Sequence, residues 1–219
     1  MQTEQALNWI VKTKVVAGMR GYFPPEVALD LTRLLIEHDI TAFEFTLNST
    51  QPIEAMQAVK REFGDAVCVG MGTVLDTESA RKVLDAGADF VVSPAFQPQV
   101  VEVVQKADVL IAPGIITPSE AVQAHDLGVQ LLKIFPIGAL GLDYFKAIRG
   151  PLNHLKFMCN GGMTADNAVD FLQAGAVAVG MAAWLTGDGR TPENILRNRA
   201  EAMRQAVQIA NGNARQQTL

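Results

Sequence analysis

The feature that most constrains the fold is a regular alternation of short apolar runs with longer amphipathic segments. A short apolar run bounded by turn residues is typical of a strand buried on both faces, as the strands of parallel sheets are. Eight such runs predict eight strands, at 14–20, 42–47, 66–72, 89–94, 109–114, 130–136, 155–162 and 176–181.

The segments between these runs carry apolar residues at spacings of three and four, which is the period of an amphipathic helix. In segment 25–38, Val27, Leu31, Leu34 and Leu35 fall on one face. The spacing predicts helices at 25–38, 51–63, 76–86, 97–106, 118–127, 143–148, 165–174 and 192–210.

Continuous alternation of strand and helix favours a parallel sheet covered by helices. Eight units in 219 residues favour a closed (β/α)8 TIM barrel of the α/β class. We expect a single domain over 1–219, with its core at about 14–185 and a C-terminal helix at about 192–210. The alternative is a doubly wound open sheet, but the first strand is not followed by the GxGxxG of a dinucleotide fold.

Charge and composition exclude several classes of partner. The net charge is −5 and basic residues form no runs, which disfavours nucleic-acid binding. No apolar stretch reaches the length of a signal peptide or a membrane helix. Cys68 and Cys159 lack any CxxC spacing and lie in apolar runs, as buried reduced thiols do. We therefore expect no membrane partner and a cytoplasmic protein.

Lys133 is a charged residue inside an apolar strand, between Leu132 and Ile134. Because strand side chains alternate faces, Lys133 and Phe135 are predicted to point into the barrel while Leu132 and Ile134 face the helices. Burial disfavours the charged form of an amine, and a neutral amine is the form that attacks a ketone. Lys133 is therefore the candidate nucleophile.

Glu44 occupies the equivalent position in run 42–47, with Phe43 and Phe45 facing outward. A carboxylate in an apolar strand suits general acid–base work. The alternative is a plain ion pair between Glu44 and Lys133, since buried charges are usually paired. The position of Lys133 near the C-terminal end of its strand favours catalysis, because barrel enzymes keep their chemistry at that end.

Other candidate residues end strands at the same rim. Arg20 ends the first strand and offers a cation for a carboxylate, and the alternative is a surface arginine. Thr73 follows two glycines at the end of the third strand, and Pro94 ends the fourth. Both are predicted to line the pocket.

Glycines end the last two predicted strands. Asn160, Gly161 and Gly162 end the seventh, and Gly180 lies near the end of the eighth. Loops at these positions in TIM barrels commonly bind phosphate through backbone N–H groups. We predict a phosphate or another anion here.

Taken together, these segments resemble the 2-dehydro-3-deoxy-6-phosphogluconate (KDPG) / 4-hydroxy-2-oxoglutarate (KHG) aldolase family. The resemblance covers about residues 14–185, in family order. It is carried by VVAGMRG, FEFTLNS, GMGTVL, VVSPAF, IAPGIITPSEA, LLKIFP and NGGMT.

The resemblance implies a trimeric class I aldolase that needs no metal and no cofactor. It makes Lys133 the Schiff-base lysine and Glu44 the general acid–base. The remaining matched residues would bind substrate: Arg20 and Thr73 at the pyruvate end, Phe135 and Pro94 as pocket walls, and Gly161 and Gly162 as the phosphate loop. Phe23 and Trp184 are candidate apolar residues for the trimer interface.

This chain departs from the family pattern at three places. Asn48 replaces an arginine common after the glutamate, and Leu47-Asn48-Ser49 resembles the galactonate branch of the family. Asn160 replaces a threonine. Ala182-Ala183 replaces a Gly-Ser pair whose hydroxyl helps to hold phosphate.

The expected activity is the cleavage of a 2-keto-3-deoxy sugar acid, 6-phosphorylated, to pyruvate and an aldehyde such as glyceraldehyde 3-phosphate. An unphosphorylated 2-keto acid such as 4-hydroxy-2-oxoglutarate is the first alternative. A non-aldolase sugar-phosphate barrel enzyme is the second, although the sequence has no HxH pair or acidic cluster. A barrel that only binds a ligand is the third.

Overall fold

The strands of the computed structural model, which describes residues 1–216, form one sheet that curls into a barrel. They are β1 Val15–Met19, β2 Ala42–Thr46, β3 Cys68–Gly72, β4 Phe90–Val92, β5 Leu110–Ala112, β6 Gly114–Ile115, β7 Leu132–Ile134, β8 Phe157–Asn160 and β9 Ala178–Met181. Neighbours pair in parallel in the order β5-β4-β3-β2-β1-β9-β8-β7-β6.

The barrel closes through Pro113. This residue separates β5, which pairs with β4, from β6, which pairs with β7. Proline has no N–H to donate to a ladder, so one predicted strand appears as two short ones. The Pro113 carbonyl still accepts a hydrogen bond from the Lys133 N–H at 2.9 Å. The predicted TIM barrel is thus confirmed, with the fifth of its eight strands bent at a proline.

Helices follow the strands and surround the barrel. They are α1 Thr3–Thr13, α2 Pro25–Ile36, α3 Pro52–Phe63, α4 Thr77–Asp85, α5 Pro98–Lys106, α6 Pro118–Asp126, α7 Ile137–Arg149, α8 Ala165–Gln173 and α9 Glu193–Gln216, with a 3₁₀ turn at Gly64–Ala66. Proline opens α2, α3, α5 and α6, where its missing N–H costs no helical hydrogen bond.

Helix α1 was not predicted from the sequence. Its buried residues Ala6, Leu7 and Ile10 pack against the side chains inside the barrel. The helix therefore closes the N-terminal end of the barrel, a role that lies outside the repeated strand–helix unit.

Two helix boundaries differ from the prediction by more than two residues. Helix α7 begins at Ile137 rather than 143 and bends at Gly141, whose φ is +84°. The bend interrupts the apolar periodicity, which is why only the second part was predicted. Helix α9 runs to Gln216 rather than 210, because polar residues can extend a helix that is already anchored by packing.

Two apolar cores hold the barrel. The larger lies between sheet and helices and includes Phe43, Phe45, Leu132 and Ile134, as predicted. The smaller fills the barrel interior. Phe23 is only 2% exposed within the larger core, so its predicted place in an interface between subunits is wrong.

Both cysteines are free and buried. Removal of the thiols from water raises the pKa of Cys68 and of Cys159 well above the ordinary range. Separately, no helix within residues 1–216 is long and apolar enough to cross a bilayer.

Candidate active site

A cavity of about 380 Å³ opens at the C-terminal end of the barrel. Every residue predicted for the site lines it: Arg20, Glu44, Asn48, Thr73, Pro94, Lys133, Phe135, Asn160, Gly161, Gly162 and Gly180. A larger hollow of about 1100 Å³ lies between α1 and α9 at the opposite end of the barrel, and it contains neither Lys133 nor Glu44. The smaller cavity is therefore the candidate active site.

Lys133 projects into this cavity from the middle of β7 and is 8% exposed. Its Nζ lies 4.9 Å from the centroid of the Phe135 ring. Among the ion pairs between residues 1–216, none joins Lys133 to Glu44 or to another carboxylate. The geometry gives no support to the plain ion pair, and it leaves the amine facing the cavity against an aromatic wall.

Glu44 lies in the middle of β2 and is 5% exposed. Its backbone is level with Gly70 of β3, but its carboxylate reaches along the barrel to Gly72, where a Cβ would overlap Oε1. The side chain thus leans toward the C-terminal end, which brings an acid–base group into the same cavity as Lys133.

Arg20 and Asn48 stand at the rim, just beyond β1 and β2. Both are exposed, and among the described residues no ion pair involves Arg20. Thr73 follows β3 with a φ of +62°, which turns the chain sharply at the cavity wall. A free guanidinium at the mouth is suited to a carboxylate of a bound molecule.

Asn160 ends β8 opposite Gly180 of β9 and is 6% exposed. Its side chain occupies the place of the missing Gly180 side chain. The buried Oδ1 accepts no hydrogen bond from any described residue. Because a buried acceptor without a partner is costly, a donor on a bound molecule is the natural partner for it.

The loop after β8 turns through Gly161 (φ +88°) and Gly162 (φ +74°), a region open to glycine. The Gly161 carbonyl accepts a hydrogen bond from the Gly138 N–H at 2.8 Å. Thr164 then caps α8, and both Gly162 and Thr164 line the cavity. The positive end of α8 therefore faces the cavity, as at many anion sites.

Sequence reasoning missed several lining residues, namely Gly18, Met163, Thr164 and Met181. Gly18 and Met181 lie within strands, where a residue without charge gives no functional signal. Trp184, which was predicted for an interface, contributes to the cavity wall and has the Arg199 guanidinium 6.0 Å from its ring.

Known proteins are similar to this chain in sequence and in fold. A family model described as KDPG and KHG aldolase matches residues 9–197. The 2-dehydro-3-deoxy-6-phosphogalactonate aldolase of Escherichia coli (strain K12) is 31% identical over 206 residues, covering 92% of this chain and 100% of that enzyme.

Two solved structures are similar across most of the chain. A native KDPGal structure has a TM-score of 0.85 and 29% identity, covering 90% of this chain and 96% of the other. The KDPG aldolase from Legionella pneumophila, with pyruvate captured as a covalent carbinolamine, has a TM-score of 0.75 and 26% identity, covering 90% and 95%. On its sequence and its fold, the chain belongs to the KDPG and KHG aldolase family.

Proposed function

We propose that this protein is a class I aldolase that cleaves a 6-phosphorylated 2-keto-3-deoxy sugar acid to pyruvate and glyceraldehyde 3-phosphate. The observation that carries the proposal is the buried amine of Lys133, which shares one cavity with the buried carboxylate of Glu44. The Legionella pneumophila relative holds pyruvate as a carbinolamine, which is the adduct of an amine with a ketone.

In the first stage, the Lys133 lone pair forms a bond to the C2 carbon of the substrate and the carbonyl oxygen takes up a proton. Loss of water then gives an iminium cation. The neutral amine is the form of the lysine side chain that acts as the nucleophile in this step. The iminium withdraws electrons from the C3–C4 bond and prepares that bond for cleavage.

In the second stage, Glu44 takes the proton of the C4 hydroxyl, directly or through one water. The C3–C4 electrons move toward the iminium, and the aldehyde leaves. Protonation of the resulting enamine at C3 and addition of water then release pyruvate and restore the Lys133 amine. The protein's contribution is mainly to place the amine and the carboxylate on either side of the breaking bond.

Substrate recognition is assigned to the remaining cavity residues. Arg20 and Thr73 bind the carboxylate end, and Phe135 and Pro94 form walls. Asn160 accepts a hydrogen bond from a substrate hydroxyl, which satisfies its unpaired Oδ1. Gly161 and Gly162, with the N-terminus of α8, bind the phosphate through backbone N–H groups.

The galactonate-type substrate is our first choice for this chain. The relative from Escherichia coli is a 2-dehydro-3-deoxy-6-phosphogalactonate aldolase and matches along its whole length. The Leu47-Asn48-Ser49 segment, in which Asn48 stands at the cavity rim, agrees with that branch.

The test is a comparison of pyruvate release from the two phosphorylated C4 epimers and from 4-hydroxy-2-oxoglutarate. We expect kcat/KM for a phosphorylated epimer to exceed that for the unphosphorylated acid about tenfold or more. One hydrogen bond to a charged group contributes about 1.5–3 kcal/mol, and about 1.4 kcal/mol is a factor of ten. Equal kcat/KM values for the phosphorylated and unphosphorylated acids would contradict the proposed binding of phosphate. If pyruvate were released from none of the three acids, the proposed aldolase activity would be refuted.

We also propose a cytoplasmic homotrimer of one-domain subunits. The trimer is suggested by the family resemblance, and the location by the two free, buried thiols. Sedimentation equilibrium should give a mass three times the 23.6 kDa of the chain. A mass of one or two chains would contradict the trimer.

A further inference from the structure

The hydroxyl of Ser49 lies between the two peptide groups that flank Arg20. It accepts a hydrogen bond from the Gly21 N–H at 3.1 Å and lies 3.3 Å from the Met19 carbonyl, to which it can donate. Arg20 is the single residue between these two contacts. One side chain of the β2–α3 loop thus fixes the backbone on both sides of the arginine.

A second hydroxyl completes this contact. Thr46 Oγ1 lies 2.8 Å from Ser49 Oγ and 3.4 Å from the Met19 carbonyl oxygen, and its single proton can be donated to one of these two oxygens. A serine hydroxyl can donate once and accept twice. If Thr46 donates to Ser49 and Ser49 donates to Met19, the Gly21 N–H fills the last acceptor position of Ser49. The Ser49 hydroxyl is therefore used fully, and removing it breaks several bonds at once.

The backbone around Arg20 is held at other points as well. The Gly21 carbonyl accepts from the Thr50 N–H at 3.0 Å, and the Tyr22 N–H donates to the Asp188 carbonyl at 2.9 Å. Gly21 has a φ of +135°, which confines that position to glycine. The backbone after β1 is therefore held in one conformation. The Ser49 side chain links this backbone to the β2–α3 loop by hydrogen bonds.

The Arg20 guanidinium itself has no such support. Across the part of the chain that the structure describes, it takes part in none of the hydrogen bonds between side chains that hold other arginines, such as Arg33 to Asp30. A long, exposed side chain loses much conformational freedom when it binds a ligand. Its direction must therefore come from its backbone, which Ser49 holds.

We propose that Ser49 is a positioning residue, which aims Arg20 at the carboxylate of the substrate and joins it to the Asn48 side of the cavity mouth. The turn that carries Asn48 is closed by the Ser49 N–H, which donates to the Thr46 carbonyl at 2.9 Å. Ser49 thereby fixes the distance between the Arg20 and Asn48 side chains at the cavity mouth. The inference rests on the proposed function, since it gives Arg20 a substrate carboxylate to bind.

The experiment is borohydride trapping of pyruvate on the full chain, with the pyruvate concentration varied. Ser49→Ala should raise the half-saturating pyruvate concentration about tenfold, since one or two lost hydrogen bonds cost about 1–2 kcal/mol and about 1.4 kcal/mol is a factor of ten. The extent of labelling at saturation should stay at the wild-type level, because Lys133 is untouched. Ser49→Thr, which keeps the hydroxyl, should restore the wild-type concentration.

Thr50→Ala is the matched control, because it changes the next residue and leaves the backbone bond to Gly21 in place. It should bind pyruvate as the wild type does. If Ser49→Ala does not fold, Ser49→Cys serves the same purpose, since a thiol is nearly the same size and a weak hydrogen-bonding group.

A double-mutant cycle separates positioning from general damage to the fold. If Ser49 acts through Arg20, Ser49→Ala should cause no further change in an Arg20→Leu background. If Ser49→Ala raised the half-saturating pyruvate concentration as much in the Arg20→Leu background as in the wild type, the inference would be overturned. A Ser49→Ala variant with the wild-type half-saturating concentration would overturn it too. Failure of the wild type to be labelled at all is a different result, which refutes the proposed function itself.

Discussion

Gly72 and Gly180 lie where the barrel has to leave room for a polar side chain. The carboxylate of Glu44 occupies the space above Gly72, and the amide of Asn160 occupies the space above Gly180. Neither glycine has a positive φ, so backbone strain does not explain them. Their role is to let two buried polar groups reach the cavity.

Replacement of Gly72 tests this role for Glu44. In Gly72→Ala, the new methyl group would overlap Oε1 and push the carboxylate away. Because a displacement of about 1 Å can cost about a hundredfold in rate, we expect kcat for pyruvate release to fall about ten- to a hundredfold while the protein stays folded. Steady-state kinetics and a thermal melt measure the two effects.

Gly150→Ala is a suitable control, since a Cβ there meets only ordinary contacts at 3.5 Å or more and the site is at the end of α7. It should leave kcat unchanged. A Gly72→Ala enzyme with wild-type kcat would show that the carboxylate above Gly72 takes no part in the slow step.

Residues of the site differ in how far the sequence could reveal them. Lys133 and Glu44 were identifiable because each is a charge in an apolar strand. Ser49 was not, because a serine in a loop is common and its contacts with the backbone on either side of Arg20 arise only when β1 and β2 lie side by side.

At the scale of elements, aromatic packing joins α7 and α8 to β8, behind the loop that follows β8. Phe145 of α7 meets Phe157 of β8 edge-on, with ring centroids 6.1 Å apart, and Phe171 of α8 at 5.7 Å. All three rings are buried. This cluster supports the strand whose end carries Asn160 and Gly161.

Truncation of the central ring should destabilise the fold. We expect Phe145→Ala to lower the free energy of unfolding by about 3–5 kcal/mol, the usual cost of deleting a buried phenyl ring. Urea denaturation at equilibrium measures it. Leu140→Ala, on the same helix but 42% exposed, should change it by less than about 0.5 kcal/mol. A loss below about 1 kcal/mol for Phe145→Ala would show that the cluster contributes little.

Elements were predictable where a local pattern recurs. The strands and most helices follow the alternation of short apolar runs and amphipathic segments. Helix α1 departs from the repeated unit, and Gly141 breaks the period of α7. Both differences have a physical reason. Helix α1 is stabilised by packing at the N-terminal end of the barrel, and α7 has a bend in its backbone.

At the scale of the whole molecule, the barrel brings together strand ends that are far apart in sequence. Arg20 directly follows the first strand and Gly180 lies in the last, and β1 and β9 are neighbours in the barrel. The order of the strands followed from the alternating pattern, and the position of the site followed from the parallel direction of the strands. The break at Pro113, through which the ring closes, needed three-dimensional pairing to be seen.

Other lysines provide an internal comparison for the central claim. Lys14 caps the C-terminus of α1 just before β1, and Lys156 directly precedes β8. Both therefore lie at the N-terminal end of the barrel, away from the cavity. Only an amine at the C-terminal mouth is placed to share a substrate with Glu44.

The most direct test is reduction of the protein with borohydride in the presence of pyruvate, followed by mass spectrometry of its peptides. We predict a single reduced pyruvate adduct on Lys133, its absence in Lys133→Met, and loss of pyruvate release in that variant. An adduct on Lys14 or Lys156, or full activity in Lys133→Met, would contradict the assignment of Lys133 as the Schiff-base residue.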